Sequence, residues 1–168
     1  MTRIEVVGCS GGGKSTLARR LGARLGLDVV HLDQLHWLPG WVERDRAERT
    51  LLFDRAVASD RRVIDGTFNS SMVPRFILAD LIVWLDQPRS VCLRRVVIRW
   101  LTHLGRHRQD MAPGCHERVS LEFARYIWDF RRVTSPKIEA AIAAAGAAGK
   151  VVRLRSDREI EAFVESLS

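Results

Sequence analysis

Nine residues near the start of the chain have the types and the spacing needed to hold phosphate groups. They match the pattern G-x-x-x-x-G-K-[ST] and read Gly8-Cys9-Ser10-Gly11-Gly12-Gly13-Lys14-Ser15-Thr16. Glycines in this pattern let successive backbone N–H groups turn inward around phosphate oxygens. Lys14 can reach the β- and γ-phosphates, and the Ser15 hydroxyl can ligate Mg²⁺. We therefore expect every residue of this segment except Cys9 to bind ATP, with Mg²⁺ as the second cofactor.

The elements on either side of this segment suit the same chemistry. Residues 3–7 are typical of a short strand that enters the loop, and Leu17, Leu21 and Leu25 recur at helical spacing after it. The N-terminus of that helix carries a partial positive charge and unpaired N–H groups, and both favour a bound phosphate. A strand, a glycine-rich turn and a helix in this order predict a nucleotide site at the start of a domain.

Three aspartates follow apolar runs and are candidates for the same site: Asp33, Asp65 and Asp86. In a parallel α/β sheet, ligands bind at the carboxyl ends of the strands. Asp65 is expected to hold Mg²⁺ directly or through water, and Asp33 to accept a proton from a substrate hydroxyl or to orient it. Aspartate is also common in turns and helix caps, which is the alternative role for each, and Asp86 is the weakest candidate.

Short apolar runs and helical segments alternate along the whole chain. Five strands are expected, at residues 3–7, 29–32, 63–66, 81–85 and 151–154. After the helix that follows the phosphate segment, helices are expected at 46–60, 90–104, 118–133 and 135–149, before the last helix of the chain. Loops are expected at 34–43 and 105–116. Capping boxes at Asp45 to Glu48 and Ser156 to Glu159 indicate where two helices begin, the second being the last of the chain. The pattern predicts an α/β fold with a doubly wound, five-stranded parallel sheet.

Length and composition fit one domain that spans residues 1–168. No apolar run is long enough to cross a bilayer, and the first residues already form a strand, so neither a membrane span nor a signal peptide is expected. The three cysteines are scattered, which is typical of reduced thiols. These features predict a cytoplasmic protein.

The net charge of +7 is concentrated in one part of the chain. Ten arginines and four acidic residues lie between Arg89 and Arg132, so this region has a local balance of +6. Such a region suits nucleic acid or the phosphates of a small ligand, and it is also typical of a solvated arginine-rich surface.

Several segments resemble adenylate kinases and related small-molecule kinases. They are residues 8–18, Val63-Ile64-Asp65-Gly66, and Leu85-Asp86-x-Pro88 followed by Arg95 and Arg99. Two further segments resemble the topology modulation proteins, a group placed with the adenylate-kinase-like ATPases: His31-Leu32-Asp33-x-Leu35-x-Trp37-x-Pro39-Gly40-Trp41 and Asp110-Met111-Ala112-Pro113-Gly114-Cys115. The resemblance implies a three-layer P-loop NTPase fold, similar to nucleoside monophosphate kinases, with a short lid.

The resemblance also implies roles for several arginines. In a mobile lid around residues 99–118, Arg99 would lie against the adenine or the ATP phosphates, and Arg106 and Arg108 would close over the transferring phosphoryl group. Arg118, Arg125 and Arg132 recur every seven residues and so share roughly one face of the next helix. Some of them, Arg125 among them, are expected to face the cleft.

The acceptor side departs from the adenylate kinase pattern. Adenylate kinases place an arginine soon after Asp-Gly to bind the acceptor's phosphate, whereas here Thr67-Phe68-Asn69-Ser70 follows and the first arginine is Arg75. The acceptor is therefore open, and Asp33 in its position resembles kinases of small hydroxylated acids. The residues expected to contact the acceptor are Asp33, Arg75, Arg125 and the pair Trp37 and Trp41; the two tryptophans either stack on a base or sugar or pack in the core.

Two classes of function follow from these patterns. The first is an ATP-dependent phosphotransferase that transfers the γ-phosphate to a nucleotide, a nucleoside or a small hydroxylated acceptor. The second is a nucleotide-dependent ATPase that modulates DNA topology or gene expression through the basic region. The first is favoured, because the sequence contains no recognised DNA-binding motif and a lid accounts for the arginines.

Overall fold

The computed structural model describes residues 1–102, 114–115 and 120–167. Its main sheet has five parallel strands in the order β2-β5-β1-β6-β7. These strands are β1 (Arg3–Gly8), β2 (Asp28–His31), β5 (Arg62–Asp65), β6 (Leu81–Leu85) and β7 (Val151–Leu154). The predicted doubly wound sheet is confirmed, with the strand that enters the phosphate segment at its centre.

Helices cover both faces of this sheet. They are α1 (Lys14–Leu25), α2 (Leu32–His36), α3 (Arg46–Ala58), α4 (Met72–Leu78), α5 (Arg89–Thr102), α6 (Leu121–Val133), α7 (Ser135–Ala144) and α8 (Asp157–Glu165). A two-stranded antiparallel hairpin, β3 (Trp37–Leu38) and β4 (Val42–Glu43), lies between α2 and α3. Short 3₁₀ turns occupy Asn69–Ser71 and Ala148–Lys150.

Three layers result from the way β6 alternates its side chains. Ile82 and Trp84 belong to the core on one face, which α4, α5, α6 and α7 cover. Leu81, Val83 and Leu85 belong to the core on the other face, under α1 and α8. Because both faces are covered, all five residues of β6 are buried, as expected for an interior strand of a parallel sheet. A third, smaller cluster of Leu32, Phe53 and Ile64 holds α3 against the β2 edge.

Most helix boundaries follow from local chemistry. Ser156 caps α8 by accepting from the Glu159 amide, which confirms the predicted N-cap, whereas the Glu159 carboxylate accepts from the amide of Arg155, one residue before the Ser156 amide that a capping box uses. Asp45 accepts from the Ala47 and Glu48 amides at the start of α3, whereas the Glu48 carboxylate pairs with Arg44 instead of completing the box.

Several predicted boundaries are wrong. The segment 34–43 is not a loop, because α2 continues directly from β2 and the hairpin follows. Helix α4 was not predicted, since its seven residues are too few to show a clear helical period. The alanine-rich helix ends at Ala144, and Gly146 follows it with a φ of +60°. Most of the predicted loop 105–116, and residues 103–104 and 118–119 of two predicted helices, lie outside the described residues.

Candidate functional site

The phosphate segment forms a tight turn that only glycine can make at two positions. A Cβ on Gly8, which has a φ of +145°, would lie 2.4 Å from the Leu85 carbonyl oxygen. A Cβ on Gly11, at a φ of +78°, would lie 2.4 Å from the Cys92 carbonyl oxygen. The loop is therefore pressed against the end of β6 and against α5, and it closes through the Gly12 amide, which donates to the Cys9 carbonyl at 3.1 Å.

The N-terminus of α1 is open at the end of this turn. Gly13 precedes the helix in the left-handed region, and within the part of the chain that the structure describes the first turn has neither a side-chain cap nor an acidic residue. The first N–H groups of a helix have no partner within it, so this end of α1 suits a phosphate. Ser15 lies half-buried in this first turn, and Thr16 is exposed.

Two side chains of the loop contact its own backbone or its neighbour. Lys14 is half-buried, and its Nζ donates to the Cys9 carbonyl oxygen at 3.0 Å. Cys9 itself is buried beside Cys92, and both this neighbouring thiol and burial raise the pKa of Cys9. Cys9 thus remains a protonated thiol and supplies packing under the loop, which agrees with its omission from the expected ATP contacts.

Asp65 lies at the carboxyl edge of the sheet, next to the phosphate loop. It is the last residue of β5, and the parallel register places it between Val6 of β1 and His31 of β2. Its side chain is 5% exposed. Oδ2 lies 2.8 Å from Nδ1 of His31, whereas Oδ1 is buried with no hydrogen-bond partner in the part of the chain that the structure describes. A buried, unpaired carboxylate oxygen fits a hard cation such as Mg²⁺, or a water bound to it.

Asp33 lies at the same edge, in the first turn of α2 and two residues after His31. It is half-buried. The structure therefore brings the carboxyl ends of β2, β5 and β1 together, and with them Asp33, Asp65 and the phosphate loop, as the sequence predicts. The expected roles of these side chains toward an acceptor and Mg²⁺ remain predictions.

The two tryptophans form one packed group with a cysteine from beyond α5. Trp37 and Trp41 meet edge to face, with ring centroids 5.4 Å apart, and Cys115 is buried against both. The Cys115 thiol donates to the Leu38 carbonyl at 3.3 Å, and the Gly40 amide donates to the Gly114 carbonyl at 3.3 Å. The hairpin and residues 114–115 thus pack as a unit. This contact accounts for the partial burial of both rings, and stacking on an acceptor remains a prediction.

His36 joins this group to the segment after Asp65. Its ring lies 4.4 Å from Trp37 and 4.8 Å from Phe68, measured between ring centroids. Burial and the Arg49 guanidinium lower the pKa of His36. The ring is therefore neutral near pH 7, and its Nδ1 accepts from Arg49 Nη1 at 3.0 Å.

Arg75 is buried in the core and does not point toward an acceptor. Its side chain is completely buried on α4, where Nη2 donates to the Gly66 carbonyl at 3.0 Å and Nε lies 3.5 Å from Glu5 Oε2. Arg62 approaches the other oxygen of Glu5, at 3.8 Å, and is also fully buried. This placement does not favour the predicted acceptor contact, because the guanidinium is already used to pair with a buried carboxylate.

Burial dominates the electrostatics of this charge cluster. It raises the pKa of Glu5 to about 7, although the Arg75 and Arg62 guanidiniums act in the opposite direction. The cluster lies on the sheet face opposite Asp65, since Glu5 and Val6 are consecutive residues of β1. Glu5 therefore lies outside the candidate site, whereas the Arg75 guanidinium reaches its edge, where it donates to the Gly66 carbonyl and interacts electrostatically with Asp65.

Asp86 forms ion pairs with one arginine of α6 and one of β7. It is 5% exposed at the end of β6, and Arg131 and Arg153 donate to its carboxylate at 3.1 to 3.3 Å. Both arginines anchor α6 and β7 to this strand end. Asp86 thus has a structural role in ion pairs, which differs from the turn or helix-cap role that the sequence left open as the alternative.

The arginines expected to form a lid are only partly described. Arg99 is half-buried in the last described turn of α5, and Arg106 and Arg108 lie outside the described residues. Arg125 is exposed on α6, where its Nε is 3.7 Å from Asp129. Another arginine of α5, Arg95, lies nearer the loop: its Nη1 is 3.9 Å from the Cβ position of Gly13, and its Nη2 binds Asp157.

Two residues of the site have no predicted role in the sequence. His31 is a single histidine at a strand end, and Thr67 is the residue directly after Gly66. The Thr67 hydroxyl accepts from the Gly8 amide and donates to the Gly8 carbonyl, each at 2.9 Å. The pairing of the strands is the signal that could have found His31. Since β5 lies directly beside β2 in the sheet, the carboxyl ends of these two strands are adjacent.

Three solved structures similar to this chain are kinases of small molecules. A shikimate kinase from Acinetobacter baumannii in complex with shikimate is 15% identical, with a TM-score of 0.66 over 99% of this chain and 90% of that chain. A shikimate kinase from Bacteroides thetaiotaomicron is 18% identical, with a TM-score of 0.56 over 99% and 96%. A deoxyadenosine kinase from M. mycoides with bound dCMP and dCDP is 13% identical, with a TM-score of 0.53 over 98% and 97%.

These likenesses show the fold of the chain. It is the α/β fold of the P-loop nucleoside monophosphate kinase-like proteins, as the sequence predicts. No protein-family model matches the chain, and no curated protein sequence is significantly similar to it. None of the helices in the described residues is long and apolar enough to cross a membrane.

Proposed function

We propose that this chain is an ATP-dependent phosphotransferase whose acceptor is a small hydroxylated molecule, a nucleoside or a nucleotide. The observation that carries the proposal is the N-terminus of α1, with its glycine turn, at the same sheet edge as Asp65, whose Oδ1 has no hydrogen-bond partner among the described residues. Phosphoryl transfer needs little more from a protein than positioning and the neutralisation of charge on the phosphate oxygens. A helix N-terminus, a lysine and a carboxylate that suits a cation supply these at one sheet edge.

Each side chain then has a distinct task. Lys14 would neutralise the β- and γ-phosphates, and the Ser15 hydroxyl and Asp65 would hold Mg²⁺, which would supply further positive charge to the phosphates. Asp33 orients the acceptor hydroxyl and accepts its proton. Arg99, together with Arg106 and Arg108 of the proposed lid, adds positive charge and excludes the water that would compete with the acceptor.

The surroundings of Asp65 support an acceptor that is recognised by its hydroxyl groups. Arg75 is the only arginine between Gly66 and Leu78, and it is buried against Glu5. This segment therefore has no exposed arginine for an acceptor phosphate. The similar folds of kinases solved with shikimate or with deoxycytidine nucleotides support the choice of acceptors to test, namely hydroxylated ring acids and nucleosides before nucleotides.

The test is a panel of such acceptors with ATP and Mg²⁺, in which ADP formation is measured above the rate without acceptor. At least one acceptor is expected to raise that rate. Lys14→Ala is expected to abolish the increase, whereas Lys137→Ala, which removes an exposed lysine of α7, leaves it unchanged. If ATP hydrolysis persists and no acceptor raises it, the protein is an ATPase and the phosphotransferase proposal is wrong.

Asp33→Asn separates the acceptor site from the nucleotide site. Loss of a positioned acid–base group costs on the order of 100-fold or more in rate, so transfer is expected to fall far more than ATP affinity. An equal loss in both would place Asp33 with the nucleotide instead.

The DNA-directed alternative rests on the basic surface of α6. Arg125, Arg131 and Arg132 are exposed there, and resemblance to the topology modulation proteins supports the same idea. Binding through many phosphate contacts weakens steeply as salt rises. A DNA mobility shift at low salt that disappears as the salt concentration rises would support this alternative, and no shift at low salt would contradict it.

A further inference from the structure

We propose that His31 is a positioning residue that holds the Asp65 carboxylate in the orientation needed for Mg²⁺. This inference rests on the nucleotide and Mg²⁺ site of the proposed function and adds a residue to it. His31 would not contact the cation. Its task is to bind Oδ2 of Asp65 so that Oδ1 stays available.

The backbone places these two side chains directly opposite each other. His31 and Asp65 are register partners in the parallel pair of β2 and β5, and side chains of register partners point to the same face of a sheet. Nδ1 of His31 lies 2.8 Å from Oδ2 of Asp65. Because a carboxylate oxygen only accepts hydrogen bonds, Nδ1 carries the proton and donates it.

That face is also the one on which α1 begins. Val63, two residues before Asp65 in the same strand, belongs to the core cluster of Leu17 and Leu21 on α1. Since side chains alternate along a strand, Asp65 and Val63 share this face. Ser15 is in the first turn of α1, so the Ser15 hydroxyl and the Asp65 carboxylate belong to the same end of the same layer.

The two oxygens of Asp65 have different surroundings. His31 satisfies Oδ2, whereas Oδ1 is buried without a hydrogen-bond partner among the described residues. A buried carboxylate oxygen left unpaired costs free energy, and a cation or its bound water would remove that cost. A histidine N–H on the opposite oxygen keeps the carboxylate from rotating, in the same way that outer partners orient metal-binding carboxylates elsewhere.

The backbone around the pair is equally fixed. Gly66 has a φ of +142°, and a Cβ there would lie 2.9 Å from Cβ of Leu32, the residue after His31. The Gly66 amide also donates to the Val6 carbonyl at 3.2 Å. This hydrogen bond ties the end of β5 to β1, and the close approach of Gly66 to Leu32 leaves no room for a side chain at residue 66, so the remaining freedom of Asp65 is rotation of its own side chain.

A matched pair of amides tests the role of Nδ1. The amide of His31→Asn can occupy the position of Nδ1 and donate to Asp65, whereas the longer side chain of His31→Gln places its amide near the position of Nε2. For wild type and each variant, the dissociation constant of the β,γ-imido analogue of ATP is measured by calorimetry with saturating MgCl₂ and with EDTA. The ratio of the two constants is the coupling between nucleotide and Mg²⁺.

Outer partners of metal ligands typically contribute about 10- to 100-fold in metal affinity. The coupling ratio is therefore expected to fall about tenfold in His31→Gln and to stay close to the wild-type value in His31→Asn, with affinity in EDTA unchanged in both. His31→Leu, which has no donor, is expected to behave like His31→Gln and replaces it if that variant does not fold.

Two results would overturn the inference. One is an unchanged coupling ratio in the folded variants that lack a donor at the Nδ1 position. The other is an equal loss of affinity with MgCl₂ and with EDTA, since that would indicate a general structural defect. The readout needs nucleotide binding but no acceptor, so a failure of the phosphotransferase proposal, seen as an inactive acceptor panel, is distinguishable from a failure here.

Discussion

The hydroxyl of Thr67 lies 2.9 Å from both the amide nitrogen and the carbonyl oxygen of Gly8. A single side chain from the segment after β5 thus pairs both backbone polar groups of the residue where the phosphate loop begins. Gly8 is the last residue of β1 and the register partner of Leu85 in β6, whereas β5, the neighbour on the other side of β1, ends at Asp65 opposite Val6. The contact links the loop to the segment that carries Asp65.

Replacing Thr67 by valine is expected to destabilise the protein and to weaken nucleotide binding. Valine keeps the shape of threonine but leaves the Gly8 amide and carbonyl without partners, which costs about 1–3 kcal/mol. Thr67→Ser keeps the hydroxyl and is the matched control. Urea unfolding gives the stability and calorimetry gives the ATP affinity; equal behaviour of the valine and serine variants would show that the hydroxyl is unimportant.

Gly11→Ala is expected to abolish nucleotide binding, since its Cβ would lie 2.4 Å from the Cys92 carbonyl oxygen and the loop would have to move. Gly146→Ala is the matched control. Gly146 also has a positive φ, +60°, but no heavy atom of the described residues lies within 4 Å of its Cβ position. The control is expected to lose only the stability that a left-handed backbone costs alanine, about 1–2 kcal/mol, and to keep its ATP affinity. Similar affinity losses in the two variants would contradict the steric argument.

The fold could be predicted because its signals are local. The apolar run of β6, the helical spacing of Leu17 and Leu21 and the phosphate pattern each lie within a few residues. Their alternation leaves little choice but a parallel sheet. Segment 34–43 was missed for the opposite reason: the hairpin is held by Cys115, more than seventy residues away along the chain.

The candidate site shows the same division between local signals, which a sequence reveals, and contacts between distant residues, which it does not. Asp33 and Asp65 could be found because each follows a strand, and strand ends converge. The burial of Arg75 could not be predicted, because it depends on Glu5 lying opposite Arg75 across the core. A sequence pattern does not pair residues that are seventy positions apart. His31 was missed because its chemistry comes from its neighbour in the sheet and not from its neighbours in the chain.

Asp80→Asn is expected to lower the free energy of unfolding at neutral pH, and to lower it less in acid. The Thr2 and Arg3 amides donate to Asp80 Oδ2 at 2.9 and 3.0 Å, and Arg3 Nη2 donates to Oδ1 at 2.9 Å. The Thr2 amide and then the Arg3 side chain hold the pKa of Asp80 far below its usual range. Its stabilisation is therefore present above the unfolded pKa of about 3.9 and is lost as the pH falls below it.

The measurement is the free energy of unfolding in urea between pH 3 and pH 7, for wild type and Asp80→Asn. The difference between them is expected to be about 1 kcal/mol or more at pH 7 and to shrink toward pH 3. Asp60→Asn, at an exposed position after α3, controls for the loss of one negative charge. A difference that is constant over this range would contradict the prediction.

The stability of Glu5→Gln relative to the wild type is expected to rise with pH. Burial raises the pKa of Glu5 from 4.5 to about 7, so the unfolded chain ionises first and the wild type loses stability between these two values. The loss is on the order of 3 kcal/mol over that window, and it ends above pH 7. Glutamine does not titrate, so the wild-type advantage over Glu5→Gln, measured by urea unfolding from pH 4 to pH 8, should fall across the window. A constant advantage would instead mean that Arg62 and Arg75 keep Glu5 ionised throughout, and that their pairing outweighs its burial.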